Sequence, residues 1–312
     1  MKRSQRHSRA GTSSGMALPM VLWAIALLTG VVLLLAGIIS GWMDEETRAG
    51  KAFRARQQAL SGIAVAMCSG VEPGDPLLNQ QSDGEEGYKV VIKDESGLIN
   101  PNSWLTDHRD LFKKLFTAWG LPINDSDSAS DGLFDWQSPN PFRSLHGAKK
   151  AEYDAAGKAG LPPNAPFLSP DEMELVIGFA PVMRARPDWK DLFTTYNPGK
   201  TINLLRAPKE ILTGILELTP TQADSFITLR AGKDGIEGTA DDNTNAVTLL
   251  PLNPAQKKLK ETFFGTDGKV LRIESTGTCN GVTHLITAIV DPEGTSTNNP
   301  QSGATLLGWT EK

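Results

Sequence analysis

The sequence predicts an α+β protein: one long N-terminal helix, a small antiparallel sheet, and a large, mainly helical insertion between the strands. Three observations predict it. A charge-free run opens the chain after a basic leader, and a helix-period stripe of small residues follows it. Two β-prone regions stand far apart, one near residue 90 and one near residue 280. The stretch between them is too long to be a loop and must own a core.

The leader, residues 1–15, carries Lys2, Arg3, Arg6 and Arg9 and no acidic residue. From Met16 to Met43 no side chain is ionisable. As a helix this run would extend roughly 42 Å, enough to cross a hydrocarbon core of about 30 Å. The basic side stays cytoplasmic by the positive-inside rule, which sends the rest of the chain outward. A secretory signal peptide is cut behind its apolar stretch. Here the candidate processing glycine, Gly15, stands in front of it, so cleavage would leave Met16 as the first residue of a membrane helix. An uncleaved single-span anchor is the alternative reading.

Beyond the run, Ala52, Ala55, Ala59, Gly62, Ile63 and Ala66 recur at helical steps, so residues 16–67 read as one transmembrane and extended helix. Small residues on its inner stripe suit close packing against a sheet or another helix. Val71 to Gly87 is rich in Gly, Pro, Asp and Gln and reads as a loop. Tyr88 to Asp94 is β-prone. Val270 to Thr278 and His284 to Val290 flank Asn280-Gly281, a hairpin signal. The β-region is therefore assigned to residues 68–101 and 261–291. The helical block divides near the Gly and Pro residues at 157–163, giving insertions at 102–160 and 161–260. Helix signals there include the amphipathic Leu111 to Trp119, a start at Ser169-Pro170-Asp171-Glu172, and a helix from Thr219 to about Arg230. The tail, 292–312, is rich in Ser, Thr, Asn, Gly and Pro and reads as disordered except at Trp309.

Several of these segments resemble the type II secretion minor pseudopilin K family (GspK), within the type IV pilin-like superfamily. The span contains Ala17-Leu18, Val21-Leu22-Trp23 and Ala26-Leu27-Leu28, close to that family's start. Met20 stands where most pilins and pseudopilins carry glutamate and this family does not. Asp94 to Asn102 resembles the family's first strand-to-helix junction. Leu133-Phe134-Asp135-Trp136 and Thr201 to Pro208 resemble its two later signature segments. The resemblance covers Gly15 to about Asp291. It implies a pseudopilin fold, prepilin cleavage after Gly15, N-methylation of Met16, and a role for Met20 in assembly. It also implies a place at the pseudopilus tip with pseudopilins I and J. The protein would be single-pass in the inner membrane with its C-terminal domain in the periplasm, its partners including prepilin peptidase and possible secreted cargo. The chain departs from the family after the Asp-Trp pair, where Gln137, Ser138 and Asn140 replace the usual acidic residues.

The metal candidate lies elsewhere. Asp234, Glu237, Asp241 and Asp242 place four carboxylates within nine residues, with Gly232, Gly235 and Gly238 permitting turns. Calcium takes six to eight oxygens from such a chain, so these four are candidate calcium ligands. The spacing is not that of an EF-hand, and an acidic solvated loop is the plain alternative. Asn124 to Gly132 is a weaker candidate, read as flexible. Cys68 and Cys279 are the only cysteines; in an oxidising compartment they could pair, and otherwise they read as small buried hydrophobes.

Catalysis finds no constellation: His108, His146 and His284 are scattered, and no nucleophile elbow or metallopeptidase motif occurs. Trp104, Trp119, Trp136 and Trp189 read as core. Removing the leader's four basic residues from 31 leaves 27 Lys and Arg against 36 Asp and Glu, a formal charge of −9. That balance argues against nucleic-acid binding as the main task. The runner-up function is a pilus or DNA-uptake component, because Ile211 to Arg230 has a helix-hairpin-helix flavour; its connection, Leu216 to Pro220, is acidic rather than basic.

Overall fold

The structure is a computed structural model describing residues 17–68, 70–82, 86–196, 199–266, 268–292 and 304–312. Gly15 and Met16, the expected processing pair, lie outside the described residues. The chain divides into two compact units, Met1–Arg54 and Ala55–Lys312. Helix α1 runs Ala17–Ala66. In the first unit the large apolar side chains between Met20 and Leu35 are exposed. Among the described residues no helix is long and apolar enough to cross a membrane, so the predicted span is not established by the structure.

In the second unit the strands are β1 (Asn79–Ser82), β2 (Glu86–Asp94), β3 (Ile202–Asn203), β4 (Phe264–Gly265), β5 (Leu271–Cys279), β6 (Val282–Asp291) and β7 (Thr305–Glu311). Five form an antiparallel sheet in the order β1-β2-β5-β6-β7, while β3 and β4 pair in parallel within the insertion. The β2–β5 register runs from Glu86 opposite Cys279 to Asp94 opposite Leu271, closing the sheet around the whole insertion. The β5–β6 turn is Asn280-Gly281, both at positive φ (46° and 82°), as a type I′ hairpin requires.

The outer part of α1 lies on this sheet through Ala59, Ile63 and Ala66, which share a core with Tyr88, Val90, Ile273, Ile286, Ala288 and Val290. Two glycines set the approach. A Cβ at Gly277 would overlap the Ala55 carbonyl oxygen and the Ala59 nitrogen. A Cβ at Gly62 would strike Ser275 and lie 2.8 Å from Val90 Cγ2. The small-residue stripe thus does what its spacing predicted.

Two edges differ from expectation. The segment read as a loop, Val71 to Gly87, contains a 3₁₀ turn at Pro76–Leu78, capped by Asp75, and then β1. Its Asn-Gln-Gln composition looks like a loop, yet an edge strand needs only backbone partners, and buried Leu78 anchors it. The tail expected to be disordered supplies β7, and Lys312 exchanges two 2.9 Å backbone hydrogen bonds with Leu285. Residues 293–303 of that tail lie outside the described residues. Cys68 is exposed and Cys279 buried, and no disulfide joins them.

The insertion's helices are α2 (Pro101–Ala118), α3 (Ile123–Gln137), α4 (Lys150–Ala155), α5 (Ala180–Ala185), α6 (Lys209–Gly214), α7 (Pro220–Arg230), α8 (Ala246–Leu249) and α9 (Pro254–Phe263). One apolar core runs through it from Ile99 to Phe264. The predicted division near 160 does not separate two cores: Trp136 stacks on Phe167 across it, with centroids 5.7 Å apart and planes within 3°. Asn124 to Gly132, read as flexible, forms most of α3. Its small side chains are what close helix packing needs: Ser126, Ala129, Ser130 and Gly132 are buried, and Ser130 Oγ donates to the Arg109 carbonyl at 3.0 Å.

Candidate functional site

The three segments singled out by sequence occupy structural junctions. The first, Asp94 to Asn102, leaves β2, makes a 3₁₀ turn at Glu95–Gly97, and starts α2 with Asn100 as cap and Pro101 in the first turn. Glu95 is 1 % exposed, and its carboxylate receives Arg272 and the Thr194 hydroxyl. Ile99 bridges in parallel to Phe193. A Cβ at Gly97 would collide with the Arg206 carbonyl and lie 2.6 Å from the Ala207 nitrogen. The first segment therefore rests directly on the backbone of the third, Thr201 to Pro208.

Two arginines hold this contact. Arg206 Nη1 donates to Asp242 Oδ2 at 2.6 Å, and its Nε lies 3.5 Å from Asp94 Oδ2. Burial raises the pKa of Asp94, opposed by Ser96 and Arg206. Arg230, 3 % exposed at the end of α7, donates to the carbonyls of Leu204 (2.9 Å) and Ala207 (2.8 Å) and to Glu237 Oε1 (2.9 Å). Burial lowers its pKa, and the Glu237 charge pulls it back up. Sequence reading passed over both as site residues. Arg206 lies inside the third segment and Arg230 closes a predicted helix; neither position announces a cation at this junction.

The four candidate calcium ligands lie beside this junction but do not converge. Glu237 pairs with Arg230, and Asp242 Oδ2 takes Arg206 and the Gly238 amide (2.9 Å). Asp241 Oδ2 accepts the amides of Lys233 (2.7 Å) and Asp234 (3.2 Å), and the Thr239 hydroxyl lowers its pKa. Asp234 Oδ1 accepts the Ile236 amide at 2.8 Å. Among the described residues no group of three or more His, Cys, Asp or Glu is placed to hold a metal. One atom is left over: buried Asp242 Oδ1 has no hydrogen-bond partner.

The second segment, Leu133 to Trp136, ends α3. The Asp135 carboxylate accepts the Ser144 amide (2.9 Å) and hydroxyl (2.7 Å), fixing the loop that follows. Trp104, Trp136 and Trp189 are buried, and Trp119 packs against the same core, as expected. The histidines stay apart. His108 packs between Trp104 and Phe263, the His146 amide donates to Asp131, and His284 faces Glu311.

Residues 97–187 match the family model of type II secretion system (T2SS) protein K. No curated protein matches the chain. Among solved structures, the fold is similar to one in the crystal structure of the GspK-GspI-GspJ complex from the enterotoxigenic Escherichia coli type 2 secretion system. The TM-score is 0.59 at 14 % identity, covering 88 % of this chain and 99 % of the other. At that identity the likeness concerns the fold, and the family match falls within it on the first two signature segments. Residues 97–187 thus resemble protein K of type II secretion, within a fold shared with a chain of that solved complex.

Proposed function

We propose that this protein sits at the tip of the type II secretion pseudopilus, where it initiates assembly with minor pseudopilins of the I and J type and supports protein export. The observation that carries this reading is the family match inside a fold shared, over most of both chains, with a protein crystallised in a GspK-GspI-GspJ complex. Its role is structural rather than catalytic. In this reading prepilin peptidase cuts after Gly15, Met16 becomes the methylated N-terminus, the apolar part of α1 lies in the inner membrane, and the remainder faces the periplasm. Met20 fits an end position. In such filaments a subunit's glutamate neutralises the N-terminal amine of the subunit above, and an unpaired carboxylate in an apolar core is costly. A terminal subunit has nothing above it. The insertion, too bulky for a repeating shaft, suits the same place.

Two experiments test it. Mass spectrometry of membrane-derived protein should find a chain starting at methylated Met16, lost when the peptidase is absent; an intact leader overturns the processing step. Co-expression should yield a complex with the I and J pseudopilins, which Met20→Glu disturbs; unchanged complex formation and secretion by Met20→Glu overturn the tip account. A DNA-uptake role is not favoured. The connection between α6 and α7 offers buried Leu216 and Leu218 around Glu217, with no basic group for phosphate.

We also propose calcium at residues 232–243, supported by ligand density and by the unpartnered Asp242 Oδ1. Calcium there would have to draw Asp241 from its amides and Glu237 from Arg230. Titrating calcium into the purified chain should raise its melting temperature, and Asp242→Asn should abolish the rise. No rise at millimolar calcium overturns the site.

A further inference from the structure

We infer that Lys149 is an internal lock that holds the loop of residues 138–148 in one shape. Its side chain is buried, with 7 % of the residue exposed. The Nζ donates to the Asp135 carbonyl (2.6 Å), the Ser138 carbonyl (2.7 Å) and Asn164 Oδ1 (2.9 Å). An ammonium has three N–H donors, and all three are used. Two of the acceptors close the C-terminal end of α3, where carbonyls lack intrahelical partners and the helix dipole is negative. The third belongs to the 161–167 connection, so one side chain ties three segments together. The Lys149 backbone amide is also held, by Glu152 Oε2 at 2.9 Å.

The locked loop carries further tethers. Besides Asp135 on Ser144, Asp131 Oδ2 accepts the His146 amide at 3.1 Å, and Arg109 Nη1 donates to Ser144 Oγ at 3.0 Å. Between these fixed points Phe142 is 79 % and Leu145 82 % exposed. Polar tethers do here what burial does elsewhere in the insertion. They order a loop whose two large apolar side chains, Phe142 and Leu145, face solvent, and whose apolar anchor is the small side chain of buried Ala148. Without Lys149 the two carbonyls at the end of α3 lose their donor, and the loop opens more often.

Arginine-specific proteolysis of the detergent-solubilised full chain tests this, because Arg143 lies in the loop and the protease ignores lysine. Cleavage after Arg143, relative to cleavage after Arg184, should rise about tenfold in Lys149→Met and severalfold in Asn164→Gly. Asn164 has φ 52°, which glycine tolerates, so the second variant removes one acceptor without backbone strain. A chelator added to the wild type should leave the ratio unchanged. An unchanged ratio in both variants, or a chelator effect equal to that of Lys149→Met, overturns the inference. If Lys149→Met does not fold, the Asn164→Gly ratio alone decides.

Discussion

Where α1 meets the sheet, contact is made by Ala55, Ala59, Gly62 and Ala66 on one side and Gly277 on the other. Inside the insertion it is made by Trp104, Phe112, Phe116, Trp136, Phe179 and Phe193, each with its ring 5.6 to 6.2 Å from that of an aromatic neighbour. The first contact works by leaving atoms out, so backbones approach; the second works by filling volume between short helices and irregular turns. The two regions should therefore fail under opposite substitutions. Adding a carbon breaks the sheet contact, and removing carbons breaks the insertion.

The largest effect is expected from Trp136→Ala. The ring is 1 % exposed and stacked on Phe167, and such truncations cost about 3–5 kcal/mol. Hydrogen exchange on the full chain in detergent should show α2 and α3 losing protection while β5 and β6 keep theirs. Equal loss in both regions would dissolve the comparison and make the unit from Ala55 onward one cooperative body.

Gly277→Ala is the reciprocal test. The added methyl overlaps the backbone of Ala55 and Ala59, and overpacking of this kind costs about 1–3 kcal/mol. Protection should fall in β5 and in the outer turns of α1, with α2 and α3 unchanged. A variant as stable as wild type would mean that the helix can ride up on the sheet, and that the glycine is not what sets their distance.

The same contrast explains what could be read from the sequence. The alanine stripe of α1 and the Asn280-Gly281 hairpin are local patterns with periods of their own, and both were legible. β1 and β7 were not, because an edge strand is specified by a neighbour's free backbone groups rather than by its own composition. α3 was masked by Ser, Asp and Gly residues that look like a loop until α2 lies against them. At the candidate site, the density of Asp234, Glu237, Asp241 and Asp242 was visible, but the direction of each carboxylate was not. That depends on Arg206 and Arg230, which reach the loop from other elements. Lys149 was invisible for the same reason: its three acceptors become neighbours only after folding.

The smallest expected effect lies at the far edge of the sheet, where a charged side chain helps hold the last strand. Glu311 does so by charge. Arg56 donates to both of its oxygens (2.7 and 2.9 Å), Trp309 Nε1 donates at 2.9 Å, and His284 Nε2 lies 3.2 Å away. Arg56 first, then Trp309, hold the Glu311 pKa down to about 2, from an ordinary 4.5. A carboxylate whose folded pKa is depressed stabilises the fold above its unfolded value, and that contribution disappears as pH falls through the folded value. The clamp is therefore fully present above about pH 4.5 and is lost toward pH 2. Glu311→Gln should lower the protection of the Gly308 and Trp309 amides modestly at pH 7, because exposed ion pairs contribute little. The difference from wild type should shrink as pH falls below 4.5 and vanish near 2. A difference that persists at pH 2 would show that the strand is held by side-chain packing instead, which would bring this edge closer to the insertion than to the rest of its own sheet.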